Sequence, residues 1–137
     1  MLSGLVPPDV ELGYHLCYGS PADEHLILPK DADVLVELAN HIAAGANRPL
    51  AYIHLPVPRD RNDEDYFRPL EHLKLDEGTE LYLGCVHSGD ADGNATKLDL
   101  ARRFTTVAGV GAECGMGPGR PEHFDDMLVR HRNLSGV

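Results

Sequence analysis

Two side chains that bind metals stand two residues apart in His15-Leu16-Cys17. On an extended backbone residues i and i+2 project to the same side, so an imidazole and a thiol point together. Both are zinc ligands. A second thiol, Cys114, sits in Ala112-Glu113-Cys114-Gly115-Met116-Gly117. Glycines on either side of such a thiol allow unusual φ and close backbone approach. A third candidate ligand, His54, ends the apolar run Leu50-Ala51-Tyr52-Ile53 and is followed by Leu55-Pro56-Val57-Pro58. Each has an ordinary alternative: a buried cysteine beside a carbonyl-bonded histidine, a structural glycine turn, a satisfied core histidine. Glu37 rivals His54 as a fourth ligand, but helical periodicity sets it opposite the Leu38/Ile42 stripe, facing water.

A different chemistry is suggested by Val86-His87-Ser88-Gly89-Asp90. His87 can serve as a proton donor with Asp90 orienting it, or both can belong to an ordinary polar loop. Asp90-Ala91-Asp92-Gly93 lacks the remaining acidic positions of a calcium loop and is not read as one. Arg59 and Arg61 are either the solvated start of a helix or a fork for a carboxylate or phosphate. Cys85 falls inside an apolar run and reads as core.

These residues need a scaffold that gathers them, and a β-then-α rhythm repeated four times supplies one. Strands are expected over Glu11 to Tyr18, Leu50 to Leu55, Glu80 to Val86 and Val107 to Glu113. Helices are expected over Asp31 to Ala44, with Val34, Leu35, Leu38, Ala39 and Ile42 on one face, and over Asp63 to Leu73. Asn94 is placed to cap a third helix running through Phe104, and Pro121 to His131 makes the last. Strands alternating with helices argue for parallel βαβ units, and near-continuous apolar strands argue for a buried sheet. His15, Cys17, His54, His87 and Cys114 then all fall at strand C-terminal ends, the rim where (β/α) barrels keep their active sites. Four units make either a small open α/β sheet or half of an eight-unit barrel.

Composition bounds the partners. The chain has 137 residues, 42% hydrophobic and 25% charged, enough for one core. A formal charge of -10 disfavours nucleic acid and anionic membranes as partners. No apolar run reaches the length of a membrane span. The start, Met1-Leu2-Ser3-Gly4-Leu5, lacks the basic and apolar regions of a signal peptide. Three cysteines without a scaffold pattern favour a reducing, cytoplasmic compartment, with thiols free or metal-bound.

With these motifs in place, nearly the whole chain resembles the C-terminal part of the catalytic barrel of cobalamin-independent methionine synthase, within the group shared with uroporphyrinogen decarboxylase. His15-Leu16-Cys17-Tyr18 is similar to that family's His-x-Cys-Tyr strand end, Val86-His87-Ser88 to its His-Ser strand end, and Glu113-Cys114-Gly115 to its Asp-Cys-Gly turn. The resemblance implies that residues 1–137 form a partial domain, the C-terminal half of a TIM (β/α)8 barrel. It implies zinc held by His15, Cys17 and Cys114, with His54 standing where the family has glutamate. It implies methyl transfer from a folate-type donor to a thiol such as homocysteine, for which His87, with Asp90 as its orienter, is the candidate acid that protonates the leaving nitrogen. The absent first half of the barrel implies a homodimer or an N-terminal half-barrel partner, since open strand edges invite pairing. The rival expectation is an accessory half-barrel that holds a structural zinc, or none. A metal-free decarboxylase-like relative would need more arginines at the strand ends than this chain has.

Overall fold

The computed structural model describes residues 2–19, 25, 27–116 and 121–136. Four strands, β1 (Gly13–His15), β2 (Tyr52–Pro56), β3 (Glu80–Val86) and β4 (Gly109–Ala112), form one sheet. All neighbouring pairs are parallel and the order is β1-β2-β3-β4. Between and after them lie α1 (Asp33–Gly45), α2 (Glu64–Phe67), α3 (Ala91–Ala101) and α4 (Phe124–Ser135). The chain is therefore an α/β protein of four parallel βα units. Sequential order, each strand laid beside the one before, is the order of a barrel segment.

The register divides the sheet into two unlike faces. Tyr14, Ile53 and Leu81 lie in line, as do Leu55 and Leu83, and these pack into the core with Cys85, Phe67 and Leu98. The alternate positions, His15, His54 and Tyr82 in line, with Tyr52, Gly84 and Gly111, make the other face. Helices cover the first face. The second is a concavity of about 820 Å³, lined by His15, Tyr52, His54 and Tyr82.

Local chemistry explains where elements depart from expectation. β1 is three residues long rather than running from Glu11 to Tyr18, because as an edge strand it pairs only with β2. Cys17 and Cys114 thus stand in the turns just beyond β1 and β4. The expected helix from Asp63 to Leu73 is one α-turn, capped by Asp63 accepting from the Tyr66 amide at 3.1 Å, and then a 3-10 turn over Arg68–His72. Pro69 has no N–H to continue α-helical bonding. α1 buries Leu35, Val36, Ala39 and Ala43, whereas Val34 and Leu38 are exposed, contrary to the expected face. Asp33, Glu37, Asn40 and His41 make its polar side, and the apolar arc is wider than the face the core covers, which leaves Val34 and Leu38 at its solvent edge. Asn94 does not cap α3: Asp90 takes the N-cap position and Asn94 lies fully buried one turn in. α4 begins at Phe124 after a 3-10 turn at Pro121–His123, and ends at Ser135 rather than His131. The glycine turn after Met116 extends into residues outside the described part.

Candidate metal centre

In a flat sheet, the first and fourth of four strands would be roughly 14 Å apart. Here the sheet curls, and the turns after its two edge strands meet. Cys17 Sγ lies 2.9 Å from Cys114 Sγ, and Cys114 Sγ lies 3.7 Å from His15 Nε2. The ligand atoms of His15, Cys17 and Cys114 all fall within 4.8 Å of one another, and the three residues are exposed. Each thiol turn is shaped by a glycine in the left-handed region, Gly19 (φ 79°) after Cys17 and Gly115 (φ 83°) after Cys114. There a side chain would be strained. The Gly19 amide also donates to Cys17 Sγ at 3.2 Å. One imidazole and two thiols in this arrangement can hold a metal ion.

His54 stands beside this group rather than in it. Its Nδ1 lies 2.7 Å from Nδ1 of His15, on the side of the His15 ring away from Cys114. The strands set His15 and His54 in register on the open face. The His54 ring lies over two glycines: a Cβ on Gly84 would come within 2.7 Å of its Cε1, and one on Gly111 within 2.9 Å of its Nε2. Burial, and then the neighbouring His15, hold the His54 pKa down at about 4. Glu37 is exposed on α1 and absent from the group, as its periodicity required.

His87 and Asp90, expected as proton donor and orienter, are held in separate contacts. His87 is only 6% exposed, and its Nε2 lies 2.9 Å from the Val57 carbonyl, to which it donates. Burial, and then the charge of Lys97, push its pKa down to about 4, so near neutral pH it carries no spare proton. Asp90 does not orient it: the carboxylate accepts from Lys97 Nζ at 3.0 Å, and Lys97 is fully buried. Asn94 holds His87 instead. Its Oδ1 accepts from the His87 amide at 3.0 Å and its Nδ2 donates to the His87 carbonyl at 2.8 Å.

Glu113 was visible in sequence only as a neighbour of Cys114. Its carboxylate lies 2.7 Å from His25 Nε2 and 3.8 Å from His87 Nδ1. Burial raises its pKa to about 7, against the pull of Arg59 and Lys97. The available signal was its place at the last strand's end. These groups line a second cleft of about 820 Å³, shared with Arg59, Met116 and Phe124. Arg59 donates to the Ser88 carbonyl at 2.9 Å, whereas Arg61 pairs with Asp63 at 2.9 Å and belongs to the start of α2. Cys114 lines both the second cleft and the open-face concavity, so the candidate centre sits where the two meet.

Comparison with protein-family models, curated proteins and solved structures finds no match for this chain. Fold and site together define it as a parallel α/β protein with a His-Cys-Cys group able to hold a metal ion. Among the described residues no helix is long and apolar enough to cross a membrane.

Proposed function

We propose that this chain is a zinc-dependent, methyltransferase-like protein that activates a small-molecule thiol. The convergence of His15, Cys17 and Cys114 from opposite edges of one sheet carries the reading. Catalytic zinc sites keep three protein ligands and leave a position for substrate, whereas structural sites are closed by four. Bound zinc would hold an incoming thiol as thiolate at neutral pH. His15, Cys17 and Cys114 would provide the three anchoring atoms, and the two clefts meeting at Cys114 would admit the thiol and its methyl donor from different sides. The resemblance to cobalamin-independent methionine synthase supports a homocysteine-like acceptor and a folate-type donor. The open sheet face supports completion by a second copy or by an N-terminal half-barrel.

Metal analysis of the purified, reduced protein tests the proposal, followed by titration of the cobalt-substituted form with homocysteine. Expected are stoichiometric zinc and a change in the cobalt absorption bands as sulfur enters the coordination sphere. Absence of zinc, or full occupancy in both Cys17→Ser and Cys114→Ser, would overturn it. Bound zinc with unchanging bands favours the accessory reading, and sedimentation with and without a partner half then separates the two.

A further inference from the structure

The open face carries a polar contact, at the ligand group itself, that a three-residue ligand set does not need. His54 and His15 face each other through Nδ1 atoms 2.7 Å apart. One of the two nitrogens must hold a proton and the other accept it. Which way it runs is decided at the far end of the His54 ring. A Cβ on Gly84 would lie 2.9 Å from His54 Nε2 and 3.1 Å from the Ala112 carbonyl oxygen, so that carbonyl stands on the Nε2 side of the ring, where it can only accept. With Nδ1 engaged by His15, the nitrogen directed to Ala112 is Nε2, which lies over Gly111. A neutral His54 protonated on Nε2 has a bare Nδ1. His15 must then carry its proton on Nδ1, which leaves His15 Nε2 unprotonated and 3.7 Å from Cys114 Sγ. An imidazole binds metal only through an unprotonated nitrogen.

We propose that His54 is the positioning residue of the metal centre: it fixes the His15 tautomer and ring plane so that Nε2 is presented to Cys17 and Cys114. The relay runs from the Ala112 carbonyl through both imidazoles to the ligand group, and so ties the end of β4 to the end of β1. Gly84 and Gly111 belong to the same device. Side chains at either position would occupy the space of the His54 ring. Metal-bound histidines generally bond a carboxylate, carbonyl or water through their other nitrogen, and here a second imidazole takes that place. The inference rests on the metal-binding reading above, but the tautomer it assigns exists with or without metal.

Two variants isolate the role. His54→Phe keeps a ring over the glycines and removes the acceptor. His54→Asn restores an acceptor near the position of Nδ1. Zinc affinity, measured by competition with a chromophoric chelator, is expected to fall about 10- to 100-fold in His54→Phe and to recover partly in His54→Asn. Nitrogen-15 spectra of the reduced, metal-free chain should show His15 as the Nδ1–H tautomer in wild type and mixed in His54→Phe. Wild-type affinity in His54→Phe, or a His15 tautomer that is Nε2–H in wild type or unmoved by the substitution, would overturn the inference. A wild-type protein that binds no zinc overturns the functional proposal instead, and the nitrogen-15 spectra still decide the tautomer.

Discussion

Two histidines at strand ends of the same sheet, His15 and His87, have opposite fates. His87 is buried, bonded through Nε2 to Val57, with its backbone bracketed by Asn94. His15 is exposed, and its Nε2 faces a thiol 3.7 Å away. The first has its Nε2 and its backbone bonded within the fold and its Nδ1 toward Glu113, and the second holds a nitrogen toward two sulfurs. A strand-end histidine is thus a ligand or a structural element according to what its second nitrogen meets, not according to its place in the chain. The same contrast holds for the acids. Asp90 is matched to the buried Lys97, while Glu113 lies against two imidazoles in a cleft.

Substitutions at the two sites are expected to separate metal binding from stability. The largest effect is expected at the thiols: Cys17→Ser or Cys114→Ser should weaken zinc binding by at least about a hundredfold, read by chelator competition, with the folded circular-dichroism spectrum kept. Equal loss from His87→Gln would erase the distinction.

Acid should act through the other histidine. The folded His87 pKa of about 4 lies below the ordinary 6.5, so the unfolded chain takes up the proton first as pH falls. Stability from this group is fully present above about pH 6.5 and is lost progressively down to about pH 4, by up to about 3 kcal/mol. Urea melts across that range should show a shallower slope for His87→Gln, whose amide can still donate to Val57. An unchanged slope would remove His87 from the account.

Asn94→Ala should cost about 1–3 kcal/mol, because it strands the buried amide and carbonyl of His87. Denaturation midpoints read this, and zinc affinity should stay put. The smallest effect expected is at Gly111→Ala, whose new methyl meets His54 Nε2 at 2.9 Å. Displacing that ring should lower zinc affinity roughly tenfold while leaving the thiols intact. A full-affinity Gly111→Ala protein would show that the His54 ring can move without consequence.

Much of the fold was legible along the chain. β3 spans Glu80–Val86 as its apolar run predicts, and all four parallel βα units are present. Faces and caps were less so. The helix residues Val34, Leu35, Val36, Leu38, Ala39, Ile42 and Ala43 form an apolar arc wider than the buried face, so periodicity alone could not select the Leu35/Ala39/Ala43 part of it. Asn94 has the composition of a cap, but its amide is more stabilising when it satisfies the buried backbone at His87.

By itself the sequence determined the ligand types, the β-α alternation, and the spacing that keeps His15 and Cys17 together, because these depend on residue identity and local pattern. The sequence also named Cys114 as the second thiol, but only the tertiary structure brought it to them. Curling of the sheet brings residues 97 apart in sequence into contact, and no local pattern encodes that distance. It also set His54 against the far side of the His15 ring and Asp90 in an ion pair with Lys97. Those roles depend on which atom faces which, and that is settled by packing over Gly84 and Gly111 and by the buried charge of Lys97.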